Sequence, residues 1–176
     1  SLYSENLGLA VMGEVPLVVV DVQRLGPATG GATTVGQGDV QFVRWGTSGG
    51  YPIIALAPSS VPDCYHLTMK AFDLAERFRC PVFLLTDKEL NMTMATVAVD
   101  DYTPAAVRPR PKPDGPGKPY QYTPPGQVPP LREFGSGETV RFTGSSHDER
   151  AFITKSPAAV GALNLHLSAK IEEHRA

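Results

Sequence analysis

The chain has 176 residues, of which 41% are apolar, and it carries a formal net charge of −2. This length fits one domain-sized core, whereas the weak and scattered charge argues against nucleic acid as a partner. The two cysteines, Cys64 and Cys80, have neither the spacing of a disulfide framework nor that of a metal site. Because no apolar run reaches the roughly 20 residues of a membrane span, we expect a soluble, cytoplasmic protein with no membrane partner.

The sequence predicts alternating helices and strands over residues 3–57. Apolar residues at helical spacing over 3–11 predict a first helix that is capped by Gly13. The β-branched run 17–22 predicts a strand that is covered on both faces, as strands of parallel sheets are. A short helix over 37–45 and a second apolar strand over 52–57 follow.

The strongest helix signal begins at Ser60, where Pro62 and Asp63 complete an N-terminal capping pattern. Spacings of three and four residues predict a stripe that packs against a sheet. Its members are Cys64, Leu67, Ala71, Leu74 and Phe78, widened by Met69 and Phe72. A third strand over 81–85, then Thr86-Asp87 and a methionine-bearing helix through Val99, complete residues 1–100.

These alternations predict an α/β domain with a parallel sheet over residues 1–100. The composition then changes, because ten of the seventeen prolines fall between Pro104 and Pro130. Proline fits neither a helix interior nor a strand ladder, so we expect residues 101–135 to form an extended, proline-rich arm. Residues 136–176 predict a short strand over 139–143 and a C-terminal helix that opens at Ser156 and Pro157. Its apolar side carries Val160, Leu163, Leu167 and Ile171.

The turn that follows the first strand is the main candidate site. Arg24 stands where a parallel strand ends, in a stretch rich in glycine, and ligands of open α/β sheets bind at such ends. A guanidinium suits a carboxylate or a phosphate, although an arginine that ties the turn to a neighbouring loop is an equal alternative. Thr29 is a weaker candidate, since a threonine in such a turn often only caps the turn itself.

Other polar residues give weaker signals. The stretch 36–38 lacks the spacing of a dinucleotide fingerprint. His147, Asp148 and Glu149 are adjacent in sequence and do not generally converge on one metal ion, so a solvated polar loop is the better prediction and no role is assigned to them. The remaining histidines, His66, His166 and His174, are interpreted as surface or packing residues.

Several blocks of the chain resemble the alpha subunits of 2-oxoacid:ferredoxin oxidoreductases, particularly those of the 2-oxoglutarate type. The blocks cover nearly the whole chain and are residues 22–30 with Thr33, Gln37 and Asp39, then 52–60, 71–77, 81–87 and 144–149. The resemblance implies that this chain forms the second part of a parallel-sheet α/β domain. In the family, that domain contacts the pyrimidine side of thiamine diphosphate.

The resemblance also implies an activity, a cofactor and partners. Such an enzyme uses thiamine diphosphate to decarboxylate 2-oxoglutarate or a related 2-oxoacid oxidatively, reduces ferredoxin and releases an acyl-CoA. Its beta subunit holds the diphosphate, magnesium and at least one iron-sulfur cluster, so no metal site is expected in this chain. In the family's pattern the arginine and threonine of the turn recognise the 2-oxoacid, which assigns substrate binding to Arg24 and Thr29, with Gly26, Pro27 and Gly30 in the same loop near the cofactor and the subunit interface.

The family's cofactor-activating glutamate lies upstream of the matched region, so no catalytic residue is assigned here. We therefore expect a truncated or split alpha subunit that is inactive alone and whose residues 136–176 lead to a further C-terminal domain. The turn departs from the family pattern: Ala28 replaces the usual serine, Gly31-Ala32 replaces a bulkier pair, and Gly36 stands where an acidic residue is common. Such a looser turn favours an altered substrate preference. Two alternatives stay open: a non-catalytic α/β interaction module whose proline-rich arm wraps a partner, and a free-standing phosphate or nucleotide binder.

Overall fold

The computed structural model describes residues 2–106 and 108–174. Ser1, Val107, Arg175 and Ala176, which belong to the predicted regions 1–100, 101–135 and 136–176, lie outside the described residues. In chain order the elements are α1 (Leu2–Met12), β1 (Leu17–Gln23), α2 (Val40–Trp45), β2 (Ile54–Leu56), α3 (Val61–Phe78), β3 (Pro81–Asp87), α4 (Lys88–Met92), a 3-10 helix (Val99–Tyr102) and α5 (Pro157–Glu172).

The strands form a parallel sheet in the order β1-β3-β2, which confirms the α/β prediction. The central strand β3 is buried from Pro81 to Thr86, because both its edges are paired and both its faces are covered. Leu17 of β1 pairs with Pro81, and Gln23 pairs with Asp87. The carboxyl ends of β1 and β3 therefore lie side by side.

Two apolar clusters pack on opposite faces of the sheet. On one face Ala71 of α3 and Ile171 of α5 pack with Val82 of β3. On the other face Leu7 of α1 and Val43 of α2 pack with Phe83 of β3. The sheet is therefore covered by helices on both sides, as parallel sheets require.

The first strand departs from its prediction, because its carboxyl half is covered on one face only. Val18 packs with the α3 cluster, but Val20 and Val22, which point to the same side, are 55% and 51% exposed. The reason is the strand order: β1 lies at an edge of the described sheet, and α3 packs over the centre. A β-branched run predicts a buried strand, but it does not predict how much of the strand the packed helix covers.

Helix α3 begins where its capping pattern predicts. The Ser60 hydroxyl accepts a hydrogen bond from Asp63 N (3.2 Å), and Pro62 lies in the first turn. The buried face is centred on Ala71, Ala75 and Phe78, so Ala75 belongs to the stripe although the prediction omits it. Phe72, predicted to widen that stripe, is 57% exposed instead.

Several boundaries differ from their predictions. Helix α2 begins only at Val40, β2 is limited to Ile54–Leu56, and the predicted helix through Val99 is interrupted after Met92 by an extended segment. Residues 139–143 form no strand. The chain after α1 adopts a left-handed conformation at Glu14 (φ 49°) rather than at Gly13. The local sequence signals at these boundaries are weak. The extent of a short helix or strand depends more on tertiary packing than on the propensity of its residues.

The proline-rich arm is extended and packs against the α/β domain of the same chain. Arg79, at the C-terminal end of α3, donates hydrogen bonds to the carbonyl oxygens of Pro119 (3.3 Å) and Pro129 (3.0 Å). Arg110 of the arm forms ion pairs with Glu76 of α3 and with Glu133. The arm therefore makes intramolecular contacts with the α/β domain through Arg79 and through Glu76 of α3. Among the helices that the structure describes, none has the length and apolar character needed to cross a membrane.

Candidate functional site

The loop 24–38 leaves the carboxyl end of β1 and is closed by its own backbone. Leu25 N donates to Thr34 O (2.9 Å), and Gly31 N donates back to Leu25 O (3.1 Å). A further bond from Gly38 N to Arg24 O (3.2 Å) closes the base of the loop. The loop is therefore a compact unit with a defined backbone.

The glycines of this loop allow the backbone to pack on itself. Gly30 has a φ of +48°, and a Cβ added there would lie 2.1 Å from Leu25 O. A Cβ on Gly36 or Gly38 would likewise meet the backbone of the opposite side of the loop, at 2.8 Å and 2.5 Å respectively. Loop closure alone therefore accounts for these three glycines, whereas the sequence suggests close approach of a ligand.

Arg24 is presented to solvent at the base of this loop. Its side chain is exposed and makes no hydrogen bond or ion pair with any residue in the described parts of the chain; only its carbonyl is bonded, to Gly38 N. The structural alternative, an arginine that ties the turn to a neighbouring loop, does not match this arrangement. The guanidinium therefore keeps its donors available for an anion.

Thr29 lies at the tip of the same loop and is also exposed. Within residues 2–106 and 108–174 its hydroxyl has no hydrogen-bond partner, so it does not cap the turn as the weaker interpretation supposes. Gly26 and Pro27 lie between the two residues in sequence, Gly30 directly follows Thr29, and the Gly26-Pro27 peptide bond is cis. The structure thus places all five predicted loop residues at one strand end and exposes both polar side chains.

Acidic groups share this strand end. Burial raises the pKa of the Asp21 carboxyl on β1, and the negative charge of Asp39 raises it further. Asp87, at the end of β3, caps α4 by accepting a hydrogen bond from Leu90 N (2.8 Å). Gln23, between Asp21 and the loop, is buried, and its side-chain oxygen has no partner among the described residues. The strand end therefore combines one free guanidinium with a buried acceptor that lacks a donor.

The three adjacent residues His147, Asp148 and Glu149 stabilise a turn, each through a different partner. His147 is buried rather than solvated, which contradicts the prediction: its Nδ1 lies 2.9 Å from Ser145 O and its ring packs on Tyr120. Asp148 accepts hydrogen bonds from the backbone of the turn, and Glu149 pairs with Lys118. In the described parts of the chain no group of three or more His, Cys, Asp or Glu side chains is arranged to hold a metal ion.

The other histidines also differ in their surroundings. His66 is exposed, and His174 packs edge-on against Phe78, as surface and packing residues do. His166 is fully buried, and both its ring nitrogens lie within hydrogen-bond distance of oxygen atoms. Sequence reasoning missed this group, although a histidine beside Leu163 and Leu167 on an apolar helix side was a signal.

A separate cleft of about 710 Å³ lies between α1 and α5 and does not include the Arg24 loop. Leu9 and Met12 of α1 and Leu167 of α5 form its apolar wall, and Asn6, Tyr51 and Asn164 contribute polar groups. No motif in the sequence predicts it, because its walls come from four segments that are distant in sequence.

Comparisons with known proteins identify the family. The model of the pyruvate flavodoxin/ferredoxin oxidoreductase, thiamine diphosphate-binding family matches residues 1–163. The chain is 40% identical over 175 residues to the 2-oxoglutarate synthase subunit KorA of Methanocaldococcus jannaschii, covering 99% of this chain and 47% of that protein. It is 34% identical over 162 residues to subunit alpha of 2-oxoacid:ferredoxin oxidoreductase 2 of Aeropyrum pernix, covering 89% of this chain and 25% of that protein.

A solved structure agrees with these relatives. The 2-oxoglutarate:ferredoxin oxidoreductase from Magnetococcus marinus, with 2-oxoglutarate, coenzyme A and succinyl-CoA bound, matches with a TM-score of 0.80 and 30% identity. The match covers 99% of this chain and 32% of that chain, and this chain spans about half the length of the KorA relative. The resemblance stated from the sequence is thereby confirmed: the chain belongs to the pyruvate flavodoxin/ferredoxin oxidoreductase family of thiamine diphosphate-binding domains.

Proposed function

We propose that this chain is part of the alpha subunit of a cytoplasmic 2-oxoacid:ferredoxin oxidoreductase. The enzyme oxidatively decarboxylates 2-oxoglutarate or a related 2-oxoacid in the presence of CoA, forms an acyl-CoA and reduces ferredoxin. The names of the relatives, which are 2-oxoglutarate synthase and 2-oxoacid:ferredoxin oxidoreductase subunits, support this reaction class. The substrate and CoA bound to the structural relative support it as well.

The loop 24–38 recognises the substrate carboxylate in this proposal. The supporting observation is that Arg24 is exposed at the carboxyl end of β1 and is unpaired within the described residues. A guanidinium offers two parallel N–H donors to a carboxylate, which fixes the orientation of the 2-oxoacid as well as its charge. Thr29 supplies a hydroxyl donor, while Gly26 and Pro27, which lie between Arg24 and Thr29, and Gly30, which follows Thr29, define the path of the loop. Held in this way, the 2-oxo group is oriented for attack.

Thiamine diphosphate supplies the carbanion chemistry when it is bound. The residues at the strand end fit the pyrimidine side of that cofactor in one respect: the buried Gln23 side-chain oxygen lacks a donor in the described parts of the chain, and the aminopyrimidine carries an amino group that can donate. They offer no converging set of metal ligands for the magnesium diphosphate. We therefore assign the diphosphate, magnesium and iron-sulfur cluster to a beta subunit, which also completes the wall of the site that Arg24 faces.

The test uses the complete alpha and beta subunits, purified as a complex, with 2-oxoglutarate and CoA and with ferredoxin reduction as the readout. The Arg24→Ala change is expected to raise KM about 10- to 100-fold, because a hydrogen bond to a charged group contributes about 1.5–3 kcal/mol. Arg24→Lys retains the charge without the bidentate geometry and should recover part of that loss.

Arg150→Ala is the matched control, since Arg150 is also exposed and its side chain is unpaired within the described residues. Its KM should equal that of the wild type. Unchanged turnover and KM in Arg24→Ala would refute the assignment of the loop. Absence of 2-oxoacid-dependent ferredoxin reduction in the wild-type complex would refute the proposed activity.

The alternative function is an interaction module whose arm wraps a partner, and the contacts of the arm favour it less. Arg79 and Arg110 fix the arm to the α/β domain of the same chain. Part of the arm surface that would contact a partner therefore already contacts this domain.

A further inference from the structure

Two basic residues, Arg24 and Lys88, directly follow the neighbouring strands β1 and β3. Gln23 and Asp87, the last residues of these strands, are partners in the parallel register. The residue that follows each of them is therefore a cation, and neighbouring strands lie about 4.8 Å apart. The backbones of Arg24 and Lys88 thus leave the sheet side by side, at the edge where ligands of open α/β sheets bind.

Each of these two strands supplies a single cation to this edge. In a parallel sheet the segments that follow the strands all begin at the same edge. Residues 24–39 contain one lysine or arginine, Arg24, and residues 88–103 contain one, Lys88. Residues 57–66, which follow β2, contain none. The basic residues are therefore few and are placed on adjacent strands.

The backbone is fixed at both cations. Gly38 N donates to Arg24 O (3.2 Å) and closes the base of the loop. Asp87 accepts a hydrogen bond from Leu90 N (2.8 Å), which fixes the turn that contains Lys88. Both side chains therefore start from positions that the fold defines, as specific binding requires.

Lys88 has a weak partner of its own. Its Nζ atom lies 3.7 Å from Glu89 Oε1, and the two side chains are 50% and 67% exposed. Exposed ion pairs contribute little to stability, because both charges stay solvated. Asp87, the other neighbour of Lys88 in sequence, already accepts the capping hydrogen bond of α4. Lys88 can therefore exchange Glu89 for an anionic ligand.

A dicarboxylic 2-oxoacid is the ligand that two such cations fit. It carries one carboxylate beside the 2-oxo group and a second at the far end of its carbon chain. The planar guanidinium of Arg24 suits the first, because this carboxylate must be oriented as well as bound. The ammonium of Lys88 is a point charge on a flexible stem. It suits the distal carboxylate, which must be recognised but takes no part in the reaction.

We propose that Lys88 determines substrate specificity by binding the distal carboxylate, while Arg24 binds the carboxylate beside the 2-oxo group. The inference rests on the proposed function of the Arg24 loop and narrows its substrates to dicarboxylic 2-oxoacids such as 2-oxoglutarate. A lysine that only pairs with Glu89 would contribute to local stability but would not distinguish one 2-oxoacid from another.

The first measurement compares 2-oxoglutarate with 2-oxopentanoate, which has the same number of carbon atoms but ends in a methyl group. The sample is the complex of the complete alpha and beta subunits, and ferredoxin reduction is the readout. In Lys88→Met the KM for 2-oxoglutarate should rise about 10- to 100-fold, because a hydrogen bond between charged groups is lost. The KM for 2-oxopentanoate should not rise. Lys88→Arg keeps the charge and should keep the preference for 2-oxoglutarate.

The second measurement is binding without turnover. Glutarate carries both carboxylates but no 2-oxo group, and pentanoate carries one carboxylate. In calorimetric titrations of the same complexes, Lys88→Met should weaken glutarate binding about 10- to 100-fold and leave pentanoate binding unchanged. Lys70→Met is the matched control, since Lys70 is also exposed but lies in the middle of α3. Both of its affinities should equal those of the wild type.

Two results would overturn the proposal: the same ratio of the two KM values in the wild type and in Lys88→Met, or equal glutarate affinity in these two proteins. If Lys88→Met fails to fold, Lys88→Gln takes its place in both measurements. A wild-type complex that shows no 2-oxoacid-dependent ferredoxin reduction would refute the proposed activity, and the glutarate titration would still decide the role of Lys88.

Discussion

Lys170 Nζ lies 2.8 Å from Glu14 Oε2, although 156 residues separate the two side chains in sequence and both are buried. The pair joins the last helix to the turn before the first strand. Burial of an ion pair carries a desolvation penalty for both charges, and removal of one partner leaves the other charge uncompensated. The interior of this domain is therefore more sensitive to changes at this pair than to changes at its many surface ion pairs.

Removal of the Lys170 charge should destabilise the protein strongly. Lys170→Met keeps most of the side-chain volume but leaves Glu14 without its closest cation, so we expect the free energy of unfolding to fall by about 3–5 kcal/mol. The control is Arg108→Ala, which breaks a solvent-exposed ion pair with Asp73 and should change that free energy by less than about 1 kcal/mol. Urea denaturation of both variants and the wild type measures the difference. Equal stability of the two variants would contradict this role of the pair.

Acid should weaken the fold through Glu14. Burial alone would raise the pKa of its carboxyl, but the charge of Lys170 and the hydrogen bond from His166 lower the pKa from 4.5 to about 2 in the folded protein. A carboxyl with a depressed folded pKa contributes stability above its unfolded pKa and loses it as the pH falls toward the folded value. We expect the contribution, on the order of 3 kcal/mol, to disappear between about pH 4.5 and pH 2. Denaturation at a series of pH values measures it, and Glu14→Gln should remove this part of the pH dependence.

The elements that the sequence predicts well are those whose signals are local. The Ser60 capping pattern locates the start of α3, and the apolar runs locate all three strands, because caps and periodicity act within a few residues. The position of Arg24 at a strand end also follows from local order alone. In contrast, the exposure of Val20 and Val22 depends on the position of β1 in the sheet, which strand order decides.

The buried cluster of Glu14, His166 and Lys170 shows why the remaining features are not predictable from one sequence. His166 and Lys170 are four residues apart on the apolar side of α5, which is a visible anomaly. Their partner Glu14 is more than 150 residues away, and no local rule connects them. The glycines of the loop 24–38 illustrate a second limit: their presence is visible, but whether they serve a ligand or the loop itself depends on backbone contacts such as that of Gly30 with Leu25 O.

Two glycine-to-alanine changes should have opposite effects on stability. At Gly30 the φ of +48° and the 2.1 Å contact of an added Cβ with Leu25 O make alanine unfavourable, so we expect the free energy of unfolding to fall by at least about 1 kcal/mol. Gly161, inside α5, has open space around the position of a Cβ, and alanine there should raise it by about 1 kcal/mol through helix propensity. Thermal denaturation compares the two variants. A stabilising Gly30→Ala change would show that the loop backbone is not fixed as described.

The two cysteines should differ in reactivity in the folded protein. Burial raises the pKa of the Cys80 thiol to about 11, the charge of Lys170 only partly opposing it, and the side chain lies in the core beside Ala75 and Phe78. Cys64 is half-buried, and its pKa is raised by burial and by the charges of Asp63 and Asp87. Because the thiolate is the reactive form and must also be reached by the reagent, iodoacetamide at pH 8 should label Cys64 slowly and leave Cys80 unmodified. In urea both should react at the same rate, which mass spectrometry of the labelled peptides can follow. Rapid labelling of Cys80 under native conditions would indicate that α3 and β3 separate readily, in conflict with the packing of Cys80 in the core.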